Sequence, residues 1–184
     1  MARPGRWVIG GAVATLLLGT AAVDHLRAER AGVGLESRLH RRLGRVTAVR
    51  DETTVELSMP AISKEAILIR LAGIRPIAEE PPDAQTRLDG IPPSEAAMLQ
   101  LSELAFGREV QVLLDPRMTE ARGDDLTVAY LRTDDDGGTL LNQRLVESGY
   151  AAADGEGVYS LRLHQSESRA RRRGAGLWTF ARAR

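Results

Sequence analysis

Within "IRLAGIRPIAEE" (69–80), Arg70 sits inside an apolar run, Arg75 follows just past its end, and Glu79 and Glu80 close the stretch. Guanidinium forks grip phosphate oxygens with paired hydrogen bonds, and carboxylates accept protons from water or hold a hard cation. Side by side, these groups are the material of phosphate-ester chemistry. The run "RARRR" at Arg169 to Arg173 is a second cationic candidate. It either contacts phosphates or forms a solvated helix end stabilised by cations near its C-terminus, and the second reading is the simpler. Other chemistries find little support. The chain has no cysteine, which removes thiolate metal sites, disulfides and thiol nucleophiles together. His25, His40 and His164 are scattered, as surface polar residues are, and suggest no metal site. "DDDGG" at Asp134 to Gly138 lacks the spaced ligands and terminal glutamate of a calcium loop, so it reads as a turn.

These residues must be positioned by a chain of 184 residues, long enough for one domain with a real core and an appendage. Formal net charge is zero, so binding to nucleic acid or an acidic membrane would have to rest on a local patch. The folded part is expected from Leu43. "GRVTAVR" (44–50), "TTVELSM" (53–59) and "AILIRLAGI" (66–74) are rich in β-branched and alternating apolar residues, which predicts three sequential strands. The loop "RPIAEEPPDAQTRLDGIPP" follows, with four prolines after Pro76 that forbid regular structure for most of its length. Ser94 then reads as the N-cap of a helix with Met98, Leu101, Leu104 and Ala105 on one face, ending at Gly107. "REVQVLLD" (108–115) and "DLTVAYLRT" (125–133) predict two more strands. Thr139 reads as the cap of a second helix with Leu141, Leu145 and Val146 as its apolar stripe. A third helix is expected from Tyr159 to Arg173, stopped by Gly174 and Gly176, with Leu177 and Trp178 folding back onto the core. Five strands with a helix between the third and fourth is the order of a five-stranded Greek-key barrel, the OB-fold, in an α+β chain with about three helices.

The same pieces carry a family resemblance. "IRLAGI" with its proline-containing loop, "FGREVQVLL", "VAYL", "LLNQRLVESGYA" and "ESRARRRGAGLW" occur in the order and spacing of a staphylococcal nuclease (thermonuclease) domain, over about Gly44 to Trp178. The chain resembles that family. The likeness implies calcium-assisted hydrolysis of nucleic-acid phosphodiesters, and it says which positions would do it. Where the family carries Asp-Gly-Asp-Thr, with the second aspartate on calcium, this chain reads Asp51-Glu52-Thr53-Thr54 and puts Thr53 at the ligand position. Where the family reads Arg-x-x-x-x-Asp-x-Pro-Glu, Arg70 is retained, Arg75 replaces the calcium aspartate and Ala78 replaces the general base. Where it has the arginine that clamps the transition-state phosphate, aligning on Ala129-Tyr130 gives Leu126.

Calcium needs six to eight oxygen ligands, with carboxylates supplying most of the charge. A threonine hydroxyl replaces one poorly, and Arg75 puts a cation where the ion would sit. Without metal and base, neither the developing phosphate charge nor the attacking water is served. Glu79, Glu80, Asp51, Glu52 and Arg122 lie near the lost positions, yet a rescue needs four simultaneous shifts. The expectation is a degenerate site, with no cofactor and no metal, in a protein that is not an enzyme. Arg70 is expected to pair with Glu56 or Glu65.

Ahead of the barrel, "WVIGGAVATLLLGTAAV" (7–23) carries no charge. About 17 apolar residues is near the lower limit for a membrane-spanning helix. The "GTAA" that closes it would also suit a cleavage site, but Gly11, Thr15 and Gly19 fall on one helix face in the spacing that lets membrane helices pack closely. A retained single-pass anchor is the favoured reading, with 24–42 as a linker, 43–179 as the barrel domain and 180–184 as a tail. Arg3 and Arg6 precede the span, whereas Arg27, Arg30, Arg38, Arg41, Arg42 and Arg45 follow it, so the barrel is expected on the cytoplasmic or matrix side.

The resulting expectation is a non-catalytic nuclease-like barrel on one membrane helix. It would serve as an accessory or assembly subunit, its partners being other membrane subunits and lipid rather than nucleic acid. Likeness to site-degenerate nuclease-like proteins of mitochondria points to the mitochondrial inner membrane and a respiratory assembly. A bacterial inner membrane or secretion are the alternatives in location, and a calcium-dependent nuclease, phosphodiesterase or nucleic-acid binder is the alternative in function.

Overall fold

The computed structural model describes residues 38–77, 90–118, 126–133 and 138–181. The apolar segment 7–23 with Gly11, Thr15 and Gly19, the "DDDG" positions 134–137, and Ala78, Glu79, Glu80 and Arg122 lie outside them. The chain divides into two units, Met1–Arg38 and Leu39–Arg184, and the second holds every described strand.

Alternating apolar residues build the expected barrel from five strands. These are β1 (Leu43–Val49), β2 (Thr54–Ser58), β3 (Ile67–Leu71), β5 (Glu109–Leu114) and β6 (Thr127–Thr133), with the short β4 (Ile74–Arg75) standing outside the barrel. They close in the order β1-β2-β3-β6-β5, β5 returning to β1. Every neighbouring pair is antiparallel except β3 and β6, which run parallel. Closure leaves the barrel no free edge. Val46, Val55, Leu57, Ile69, Leu71, Val110, Val112, Ala129 and Leu131 are buried almost completely. At roughly 1.5–3 kcal/mol for each valine, leucine or isoleucine taken from water, they supply the main drive for closure. The core reaches back to Leu39, within the stretch read as linker, and Leu39 is fully buried.

Helix α1 (Pro93–Ala105) connects β3 to β5 as expected, although Ser94 is not its cap. Pro92 holds that place without a side-chain bond, and Pro93 opens the helix, where a missing N–H costs nothing. Its buried face runs through Ala96, Ala97, Leu101 and Ala105, leaving Met98 and Leu104 half-buried at the flanks. Helix α2 (Leu141–Glu147) buries Leu141, Leu145 and Val146 as predicted. Its N-cap is Leu140 rather than Thr139, whose carbonyl instead accepts the Thr133 N–H at 3.3 Å and so prolongs the β6 ladder. Helix α3 (Ser160–Arg173) ends at Gly174 in the left-handed region, and Leu177 and Trp178 are buried at the start of the one-turn helix α4 (Trp178–Ala181).

The expected single strand 66–74 is in fact two. β3 stops at Leu71, the chain turns through Ala72 and Gly73, and β4 pairs with β7 (Ala152–Ala153) in a separate two-stranded ribbon. Gly73 has φ +74, and a Cβ there would stand 2.7 Å from Leu163 Cδ1. The break escapes a reading of hydrophobicity because Ile74 is buried in the ribbon as Leu71 is in the barrel. Among the described residues, no helix is long and apolar enough to cross a membrane.

Candidate functional site

β2 begins where β3 ends, and β6 begins beside the same part of β3. Thr54 lies opposite Arg70, Ile69 beside Thr127, and the Leu71 N–H donates to the Thr53 carbonyl at 2.8 Å. Thr53 and Arg70 therefore adjoin on one rim of the barrel, where β2 begins and β3 ends, whereas Leu126, one residue before Thr127, is level with Leu68 farther back along β3. Two of the five positions singled out in the sequence thus adjoin, and Leu126 stands apart from them. Arg75 is carried past the turn at Gly73 onto the ribbon, with its backbone paired to Ala152, and Ala78 lies outside the described residues.

The contents of the rim determine its chemistry. Thr53 is buried, and both its N–H (2.8 Å) and its hydroxyl (3.2 Å) donate to Asp51 Oδ1. The nearest carboxylate is thus engaged in closing the β1–β2 turn, as short acidic side chains commonly are. Glu56 accepts from Arg50 Nε at 2.7 Å and also from Arg50 Nη2. That contact corrects the expected pairing of Glu56 with Arg70. Glu65 stands exposed, its backbone N–H bonded to Ser63 Oγ. Arg70 is itself exposed and makes no side-chain hydrogen bond or ion pair with either acid. Leu126 is half-buried. Among the described residues no three His, Cys, Asp or Glu side chains gather as metal ligands would. Among the described residues, this end of the β2–β3 pair presents the exposed Arg70 guanidinium, and the Asp51 carboxylate beside it is bonded to Thr53.

The arginine run on α3 is mostly occupied. Arg169 donates to Glu147 Oε1 at 3.1 Å, Arg173 to the Glu147 carbonyl at 3.2 Å, and Arg171 to Glu167 Oε1 while its guanidinium lies 4.0 Å over the Trp178 ring. These bonds hold α3 against α2 and α4, which leaves the run little freedom to collect phosphates. His40 and His164 are likewise engaged. His40 Nδ1 accepts the Leu114 N–H at 3.1 Å, and His164 Nδ1 lies 3.5 Å from Glu167 Oε2.

Two polar residues that sequence reasoning passed over do most to fix the rim's surroundings. Asp115, buried at the end of β5, accepts from the Arg117 N–H (2.9 Å), the Val158 N–H (2.6 Å) and the Tyr130 hydroxyl (3.5 Å). It ties β5 and β6 to the loop leading into α3. Asn142, fully buried on α2, accepts the Leu131 N–H at 3.1 Å and donates to the Ala72 carbonyl at 2.8 Å. It clamps the point at which the chain leaves β3 for the ribbon. The one available signal was an asparagine inside the "LLNQRL" stripe, where solvation is lost.

Burial first, and the Asp115 carboxylate second, push the Tyr130 phenol above its usual value. A group with a raised folded pKa supports folding fully below its unfolded pKa, near 10 for tyrosine, and that support is lost as pH rises through the folded value. We expect stability to fall above about pH 10 by up to ~1.4 kcal/mol per pH unit from this residue. Urea unfolding of Tyr130→Phe across the alkaline range should show a lower plateau and a flatter descent. An unchanged descent would contradict the assignment.

Compared with known proteins, the chain matches no family model and no curated relative.

Proposed function

We propose that this chain is a non-catalytic nuclease-like barrel, held at a membrane by its N-terminal apolar segment and serving as an interaction or assembly module there. The observation that carries the reading is the state of the rim. The hydroxyl at the calcium-ligand position is bonded to Asp51, and the second ligand position is an arginine on the ribbon. The strand order, with β3 and β6 parallel and α1 between β3 and β5, supports the OB-fold assignment on which the nuclease likeness rests. The membrane part rests on the uncharged stretch 7–23 and on the arginine excess that follows it. The likeness to site-degenerate nuclease-like proteins of mitochondria makes the mitochondrial inner membrane the favoured location.

A fold kept while its reactive groups are lost is what selection on surface and stability alone would leave. The full chain should leave DNA and RNA intact with or without calcium. The quadruple variant Thr53→Asp, Arg75→Asp, Ala78→Glu, Leu126→Arg should gain calcium-dependent cleavage. Cleavage by the unaltered chain that disappears with a chelator would sink the proposal.

A further inference from the structure

Between the helical turn at residues 38–39 and strand β1 the backbone takes an uncommon path. Arg41 has φ 62, the only described non-glycine residue in the left-handed region. It is pinned there, since its N–H donates to the Val112 carbonyl at 2.7 Å and its own carbonyl accepts from Gln111 Nε2 at 3.1 Å. The Arg42 carbonyl accepts the Val112 N–H at 2.9 Å. A strained conformation held by three bonds fixes where two consecutive exposed arginines emerge. Leu43 follows with 49% of its surface in water, and Arg45, two residues on along the same outward face of β1, is exposed as well. Opposite Leu43 on β5 stands Gln111, whose Oε1 accepts from Arg132 of β6. The acid facing this group is Glu109, opposite Arg45, and no ion pair joins them. On a chain of zero net charge, four guanidiniums against one carboxylate among the described residues around an exposed leucine make a concentrated basic, part-apolar face.

We infer that this face, Arg41, Arg42, Leu43 and Arg45 with Arg132, docks on the anionic surface of the bilayer. The inference rests on the anchored reading above. Three observations select lipid over other polyanions. The face begins at Arg41, seventeen residues (24–40) beyond the end of the apolar stretch at Val23, so a chain anchored there keeps it within reach of the headgroup layer. Arginines just past a span face the leaflet that carries anionic lipid, and basic residues near that surface each gain from its potential. Leu43 in their midst is suited to the boundary between headgroups and acyl chains. None of the chain's seven Trp, Tyr and Phe residues lies among these five residues, so a stacking platform for nucleic-acid bases is missing from it.

The chain contains no cysteine, so Leu43→Cys installs a unique thiol for an environment-sensitive fluorophore. The labelled full-length chain would be reconstituted into phosphatidylcholine vesicles, and into vesicles that also contain phosphatidylglycerol. A blue-shifted probe, reached by a lipid-borne quencher only in the anionic vesicles and released by high salt, is the expected result. Arg41→Gln, Arg42→Gln and Arg45→Gln together should reduce the docked population by about fivefold per arginine, on the order of a hundredfold in all. A matching thermal melt would show that the fold is kept. A probe at Leu161→Cys, 72% exposed on α3 and outside the face, should stay in water throughout. If the chain stays on the vesicles while the Leu43 probe remains in water in both lipids, the inference falls and the anchor stands. Recovery of the chain in the supernatant of both preparations would overturn the two together. Equal quenching of both probes would refute the assignment of this face. A response to single-stranded oligonucleotide, lost in the triple variant and absent with anionic vesicles, would give the face to nucleic acid instead.

Discussion

A single methyl group at position 149 will cost the domain most of its stability. Gly149 ends α2 at φ +81, with its own N–H on the Val146 carbonyl and the Tyr150 N–H on the Leu145 carbonyl, both at 3.1 Å. That is the glycine-terminated helix end in which the left-handed residue satisfies two orphan carbonyls. A second constraint is added here, because the segment after α3 crosses this turn. The Leu177 N–H donates to the Gly149 carbonyl at 3.0 Å, and a Cβ on residue 149 would stand 2.0 Å from the Ala175 carbonyl oxygen. Two backbones cannot share that space, so Gly149→Ala must push the C-terminal segment, with Leu177 and Trp178, off the body of the protein. We expect a loss of at least ~4 kcal/mol: about 1 for the left-handed alanine and the rest for the displaced packing. Gly107→Ala is the control. Its φ is +75 but nothing lies within 4 Å of the new methyl, so it should cost only about 1 kcal/mol. Denaturant unfolding of both variants measures the difference, and equal losses would show that the crossing is not tight.

Asn142→Leu should be nearly as damaging, for an electrostatic reason. Leucine has the same branching and number of side-chain heavy atoms and is normally welcome in a core, yet here it would leave the Leu131 N–H and the Ala72 carbonyl buried without partners. Each orphaned group costs about 1–3 kcal/mol, so ~4 kcal/mol is expected for the pair. Asn142→Asp should also destabilise, because it keeps the acceptor for Leu131 and sets a carboxylate against the Ala72 carbonyl. Gln143→Ala next door should cost ~1 kcal/mol, since the Gln143 amide bonds only Glu147 within the polar contacts between α2 and α3. Hydrogen exchange at the Leu131 amide gives a local readout, and protection surviving in Asn142→Leu would contradict the clamp.

What was legible in the sequence follows from what periodicity encodes. The five barrel strands and the three longer helices were readable because each buries one face against a single core. That alternation survives even in β1, where the pairing register shifts between Val46 and Ala48. The break at Ala72-Gly73 was hidden because both sides of it are apolar. Capping was misread at Ser94 and Thr139 because proline geometry and a continued β6 ladder took precedence over side-chain caps. At the rim, residue types and their spacing named the positions to inspect, and the strand register brings Thr53 and Arg70 together while leaving Leu126 farther back along β3. That Arg70 pairs with neither Glu56 nor Glu65 was not legible, since the competition between Arg50 and Arg70 for Glu56 is settled by register and reach. Asp115 and Asn142 were invisible for a related reason: a polar residue reads as surface until the fold surrounds it. The same logic explains the "RARRR" run, whose arginines looked available in sequence and are mostly bound to Glu147, Glu167 and Trp178.

The proposal that the rim is a nuclease-like site without its catalytic groups is tested most directly by calorimetric titration of the full-length chain with calcium in the presence of a nucleoside bisphosphate. With the Thr53 hydroxyl bonded to Asp51 and Arg75 carried onto the ribbon, the proposal predicts no saturable calcium heat and no calcium-dependent binding of the nucleotide. Saturable one-to-one calcium binding that tightens with the nucleotide, and that is lost in Arg70→Gln, would show a working site and contradict it.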